Sequence, residues 1–433
     1  MKTLLLSLFV FVGSFQAHAT TPVQQYTMDN GLNIMLMEAH HVPMVAMKLI
    51  MPAGSRFDEA GKGGTASLLS SMLMDHTRKH DHQAWASKLD EASIRLGAGV
   101  DKDGLSISLT VLKEVVDDGV SALAEALLQP GWQPKRFDFI QKNTISGLTK
   151  AQEDAGTFAT LAKGELLFPN HPYTHPASGT LDSVHKVKLN DLQKLYGQQI
   201  KPQGTTLAIS GDISMTEVIQ LVNMHLGQWQ GQPRVLLSDI MKPKPSEKQK
   251  VHHVMDKHQM LMEWVRLGPS RHDENYIAMM VLNHMLGGGG FGSLLMEEIR
   301  EKRGLTYGVY SYFQPYETNG AYVIRLQTRA DQAAEAEMVI KQVLQSLSDG
   351  EITQDMLDKS KANLMGGFAQ RMDSNRERVG LLAMMGFYHR PIDYLESWTK
   401  SVKSVTLADV RKGAEFYFQP ESWKQIWIGP ANE

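Results

Sequence analysis

Val187, Leu189, Asp191 and Gly211 recur 218 residues further on as Val405, Leu407, Asp409 and Gly429, inside the matching stretches Val184–Ile213 and Val402–Ala431. A second pair stands in the same order about 215 residues apart. Val45–Gly61 and Met260–Tyr276 each run an apolar strand into a turn, and Ser55, Arg56, Asp58 and Glu59 are matched by Ser270, Arg271, Asp273 and Glu274. Two matches in order at nearly one offset indicate a duplicated unit, so the fold must be assembled from two like halves.

The coarse pattern within each half agrees. Gly104–Val111 and Gly320–Thr328 alternate as half-buried strands do, and each leads into a helical pattern, Lys113–Leu128 and Ala330–Leu347, followed by a second helix. Strands with one apolar face and amphipathic helices predict an α+β class with two homologous two-layer domains, each a mixed sheet covered by helices on one face. Residues 20–228 and 255–433 are read as the domains. Between them, residues 229–254 concentrate Pro, Lys and Gln, and "KPKPSEKQK" cannot continue a helix or a central strand, so this stretch is read as a semi-rigid linker.

Residues 1–19 have one Lys near the start, an apolar run from Leu4 to Val12 and the triplet Ala17-His18-Ala19. That is the pattern of a secretory signal peptide, and the run is shorter than the roughly 20 residues that span a bilayer. No later stretch is long and apolar enough to span. The expectation is a soluble periplasmic protein, if the source is a Gram-negative bacterium. The formal net charge of −3 leaves no basic footprint for nucleic acid. The absence of cysteine removes disulfides, thiolate zinc sites and cysteine nucleophiles, so any metal would sit on His, Asp or Glu. His76, His80 and His82 crowd together, but Lys79 stands where a catalytic Glu would be needed; a solvated helix end is the simpler reading.

One segment carries a specific resemblance. Asn283–Phe313, "NHMLGGGGFGSLLMEEIREKRGLTYGVYSYF", is similar to the glycine-rich turn, helix and Arg-Gly-Leu-x-Tyr sequence of the insulinase/pitrilysin family of zinc peptidases, which includes the processing peptidase subunits. His171–Thr180 is similar to the family's segment after the third metal ligand. The resemblance covers nearly the whole mature chain, and it implies that each half has the two-layer fold and that four halves close a clamshell-like chamber, of which this chain would supply two.

Active members of that family carry His-x-x-Glu-His on the helix after the first strand and turn. The spacing lets two imidazoles bind one zinc ion while the Glu acts as base. Here Ser67, Ser70 and Ser71 stand at those three positions, and the stretch matching the third ligand, Gln141–Lys150, has no carboxylate. Serine is neutral and a poor zinc ligand, so no metal and no cofactor is expected in this chain. The resemblance instead implies that Arg303 and Tyr307, from the second half, reach substrate near a zinc held by another subunit. Arg303 also suits a helix C-terminus before Gly304, and Tyr307 also suits a core position. Gly287, Gly288, Gly289 and Gly290 are read as a substrate-facing turn or a close packing contact. Family members bind peptide as a strand added to a sheet edge, for which the strand around Ser106–Thr110 is a candidate by position.

These residues lead to an expectation: a non-catalytic, substrate-binding subunit of a heterodimeric zinc metallopeptidase, with peptide substrates and a partner of similar size carrying His-x-x-Glu-His and the zinc. The alternative is a non-enzymatic scaffold or chaperone-like protein of the same fold.

Overall fold

The computed structural model describes residues 22–431; the predicted signal peptide lies outside them. Six strands form the first sheet: β1 (Gln24–Thr27), β2 (Asn33–Glu38), β3 (Met44–Met51), β4 (Arg95–Val100), β5 (Leu105–Leu112) and β6 (Thr206–Gly211). Five form the second: β7 (Lys250–Val254), β8 (Gln259–Leu267), β9 (Val309–Gln314), β10 (Ala321–Arg329) and β11 (Lys424–Gly429). The spatial orders are β1-β2-β6-β3-β5-β4 and β7-β11-β8-β10-β9. Without β1, the second order repeats the first strand for strand. Only β2–β6 and β7–β11 run parallel, so each sheet is mixed in the same place. β7 lies in the last five residues of the stretch read as linker; it is an edge strand, paired with β11 alone.

The alternation of each strand is resolved into two faces. On β3, Val45, Met47, Leu49 and Met51 point into a core made with the first half's own helices, chiefly Thr65–Asp75, Val116–Leu128 and Met215–Leu226. Ala46 and Ile50, on the other face, join Met35, Met37 and Ala208 against Val379, Leu382, Ala383 and Phe387 of the Asn375–Phe387 helix, which belongs to the second half. The exchange is reciprocal. The Ala155–Leu167 helix of the first half lays Ala159, Ala162 and Leu166 on Leu261, Val265, Val323, Ile426 and Ile428 of the second sheet. Each half therefore covers one face of its own sheet with its own helices and part of the other sheet's second face with a lent helix.

A buried polar hub lies where the halves meet. The Asp103 carboxylate, fully buried, accepts hydrogen bonds from Tyr173 Oη, from Tyr388 Oη at 3.0 Å and from the Glu317 amide at 2.7 Å, with Arg56 Nη1 at 3.6 Å. Burial raises its pKa, against the opposing pull of these donors. A buried carboxylate is tolerated because its lone pairs are occupied.

Candidate functional site

The Thr65–Asp75 helix begins where Asp58 receives the Gly64 and Ala66 amides at 2.8 Å each, satisfying two donors that the first turn leaves free. Burial pushes the Asp58 carboxyl up to about 7 in spite of those bonds. Leu68, Leu69, Met72 and Leu73 bury the helix in the first core. Ser67 is half-buried, Ser70 buried and Ser71 exposed. The Ser70 hydroxyl donates to the Ser67 carbonyl at 2.8 Å and the Ser71 hydroxyl to the same oxygen at 3.2 Å. Both are thus neutral groups bonded back to their own helix. On the neighbouring Pro134–Ala151 helix, Gln141 donates its amide to Val184 O and Val187 O, a structural tie in the region where the resemblance calls for the third ligand. These side chains do not fit a zinc ion, and among the described residues no group of three or more His, Asp or Glu is placed to hold a metal.

Of the nearby histidines, two converge on Asp75 and the third on Glu125. His76, fully buried, pairs with Asp75 at 2.8 Å; His82 Nδ1 lies 3.1 Å from the Asp75 carbonyl oxygen. His80 Nδ1 instead meets Glu125 at 2.7 Å, beside Thr77 at 2.6 Å and Lys88 at 2.8 Å. For Glu125, burial alone would raise the pKa, but the hydrogen bonds from Lys88, Thr77 and His80 outweigh it and hold the carboxyl at about 2.

In the second half, the Tyr276–Asn283 helix runs into a π-helical turn, His284–Gly288, and the next helix is π-wound over Met296–Glu301. Such windings are rare and concentrate at functional sites. Within the first of these, Gly287 is buried, and a Cβ there would lie 2.7 Å from the Ser311 amide of β9, so close packing accounts for this glycine. Gly288 is exposed, and Gly289 and Gly290 are half-buried. The helix ends at Gly304, left-handed at φ +65°, as its sequence position predicts. Arg303 Nη1 donates to the Glu298 carbonyl at 2.6 Å and to the Glu298 carboxylate at 2.7 Å, which holds the guanidinium at the surface. Tyr307 is 93% exposed. A core role for Tyr307 is excluded. Two neighbours escaped sequence reasoning: Phe291, exposed with the Arg300 guanidinium 4.7 Å above its ring, and Tyr310 on β9. An aromatic next to a glycine run was the only available signal for Phe291.

The serine helix packs within the first half, on β4 and on the Pro134–Ala151 and Leu189–Gln199 helices; the Arg303–Tyr307 segment lies beside β9 of the second. The structure describes these as separate surfaces of one chain. The strand around Ser106–Thr110 needs correction as a peptide-binding edge. It is β5, hydrogen-bonded on both sides by β3 and β4, and it has no free edge. The edge is β4, which follows the serine helix and borders a groove of about 860 Å³ against the start of the Asn375–Phe387 helix. Sequence alternation identifies strands but not their neighbours, and β4, with its short "RLGAGV", was not picked out.

Comparison with known proteins agrees with this geometry. Residues 33–158 match the model for insulinase, peptidase family M16, and residues 186–364 match that for the peptidase M16 inactive domain. The chain is 24% identical to "Non-peptidase homolog YmxG" of Helicobacter pylori, covering 95% of this chain and 94% of that protein. It is 22% identical to "Zinc protease PqqE" of the same organism, covering 94% and 93%. A crystal structure of a peptidase M16 inactive domain from Pseudomonas fluorescens superposes with a TM-score of 0.89 at 29% identity, over 94% of this chain and 98% of that one. The two matched segments lie in order, the first within the first half and the second running from residue 186 into the second half, and together they take in most of the chain. It belongs to the insulinase family of peptidases, M16.

Proposed function

We propose that this chain is the non-catalytic, substrate-binding subunit of a heterodimeric zinc metallopeptidase that degrades peptides. Its partner is a subunit of similar size that carries His-x-x-Glu-His and the zinc, which supplies a Lewis acid and an activated water. This chain completes the chamber and presents Arg303 and Tyr307 in trans, with the glycine turn 288–290, of which Gly288 is exposed, beside the substrate. The signal-like residues 1–19 support a periplasmic location for the pair in a Gram-negative source.

The observation that carries this reading is the exposure of Tyr307 in a chain with serine at all three positions of the His-x-x-Glu-His motif. A phenol held almost wholly in water, four residues beyond the arginine that follows the π-wound helix, has no packing role to explain it. Two such donors suit a carbonyl oxygen that gains negative charge during hydrolysis. The Arg303–Glu298 pair favours the second reading, a scaffold, because it gives the arginine a local partner.

The deciding experiment is hydrolysis of a quenched fluorescent peptide library by this chain alone and with whatever co-purifies from the periplasm. Activity confined to the mixture and abolished by a chelator is expected. Within the complex, Arg303→Ala should lower turnover by roughly 10- to 100-fold without dissociating the subunits or removing zinc. Unchanged turnover in a folded complex would sink the assigned role, and silence in every mixture would favour the scaffold.

A further inference from the structure

The two halves differ at one end of their sheets. In the first half the space beyond β3 is filled by the chain itself. Gln199 Nε2 donates to the Pro52 carbonyl at 2.8 Å and to the Val235 carbonyl at 3.0 Å, and its Oε1 accepts from the Val235 amide at 3.1 Å. Arg56 Nη2 donates to the Leu236 carbonyl at 2.8 Å, and a Cβ on Gly204 would lie 3.9 Å from Pro233. Residues 233–236 thus close that end. At the offsets of the internal repeat, Pro52, Gln199, Gly204 and Thr206 correspond to Leu267, Tyr417, Ser422 and Lys424. These four line a pocket of about 520 Å³ where β8 ends and β11 begins.

Arg266 gives this pocket its chemistry. Its match in the first half is Met51, buried opposite Leu105, whereas Arg266 stands opposite Tyr322. Its side-chain hydrogen bonds all leave from Nη1, to the Phe416 carbonyl at 3.1 Å, the Tyr417 carbonyl at 2.5 Å and Ser422 Oγ at 2.7 Å. Capping of the Leu407–Tyr417 helix accounts for that nitrogen. Nε is buried without a partner, and among the described residues no carboxylate pairs with the group. The rings of Tyr417, Phe416 and Trp423 lie 4.8, 5.4 and 5.9 Å from the guanidinium carbon. Burial pulls its pKa down to about 10, the mark of a cation held in apolar surroundings without a counter-ion. Lys424 lines the same pocket and uses two of its three hydrogens on the Ser246 and Lys248 carbonyls. Asp273 and Glu421 line it too, so a ligand carrying both charges suits it better than an anion alone.

We infer that this pocket binds a short peptide with free ends, its α-carboxylate on the open side of the Arg266 guanidinium and its ammonium towards Asp273 and Glu421. The planar fork of arginine matches a carboxylate. The volume falls within the roughly 300–1,000 Å³ of small-ligand sites. Residues 233–236 of the first half are the precedent for peptide backbone in the corresponding place. The inference draws on the second half alone and is independent of Arg303, Tyr307 and a partner subunit.

The test is isothermal titration calorimetry on the mature chain alone, with trialanine, trialanine amide and N-acetyl-trialanine. Trialanine should bind about tenfold more tightly than the amide, which lacks the carboxylate, and more tightly than the acetylated peptide, which lacks the ammonium. Arg266→Met, which copies the matched position of the first half, should abolish binding, and thermal melting checks that the variant folds. Asp273→Asn/Glu421→Gln should remove the advantage of the free amine and keep that of the free carboxylate. Equal binding of trialanine and its amide, no binding of any of the three, or full affinity in folded Arg266→Met would overturn the inference. If Arg266→Met does not fold, the amide comparison on the parent chain and the double variant decide. Arg303→Ala should leave trialanine binding unchanged. A failed hydrolysis assay with trialanine binding retained therefore counts against the split enzyme alone, and the opposite result against the pocket alone.

Discussion

At the scale of single residues, substitution of the metal positions is local and complete. Ser70 and Ser71 both bond to the Ser67 carbonyl, and Gln141 ties the next helix to Val184 and Val187. That serine stands at all three positions of the His-x-x-Glu-His motif, with no carboxylate in Gln141–Lys150, could be read from residue types. Where those side chains go could not, because a hydroxyl can bond back to any nearby carbonyl. The histidine cluster shows the same division. Its members looked alike in sequence, yet His80 belongs to a buried Glu125 that sits 45 residues away. Glu125, held at about 2 in the folded chain, lies below its unfolded value near 4.3. It therefore contributes stability present above about pH 4 and lost as pH falls towards 2. Glu125→Gln should cost roughly 2–3 kcal/mol at pH 7, and its deficit against the parent should shrink through that acid window, as urea melts at a series of pH values would record.

At the scale of elements, the two lent helices matter most. Phe387 is fully buried at the end of the Asn375–Phe387 helix, and its ring lies where a Cβ on Gly104 would come within 3.3 Å. Phe387→Ala should cost about 3–5 kcal/mol by denaturant titration. Hydrogen exchange should show weakened protection in β2, β3 and β6 of the first sheet, although the substitution is in the second half. Protection lost only in the second half would mean that the helix is not a structural part of the first. Neither helix was picked out in the sequence, since the apolar residues of each are spread around it rather than gathered into one stripe. Their destinations were not legible either, since Val379, Leu382 and Ala383 fit any complementary sheet face. The same limit misassigned the peptide edge: alternation in Ser106–Thr110 marks a strand, but only the register shows that β4 shields it.

At the scale of the whole molecule, Asp103 joins the halves through Tyr173 on one side and Tyr388 and the Glu317 amide on the other. Asp103→Ala would strand Arg56 and two phenols in a dry interface. It should destabilise the chain by about 3–5 kcal/mol and turn one cooperative transition into two, seen by calorimetry. A single unshifted transition would show that the lent helices alone couple the halves. The sequence by itself determined that this protein is a duplicated α+β chain, that its two halves share one design, and that serine replaces the His-x-x-Glu-His residues of its first half. All three are properties of local pattern and residue type, which survive without knowledge of neighbours. Tertiary structure alone decided which strand is the edge, which helix crosses to the other half, that Tyr307 stands in water and that Lys48, Arg95 and Arg376 line one groove. Those depend on contacts between residues far apart in the chain, and period and composition carry no information about which distant surface a given face will meet.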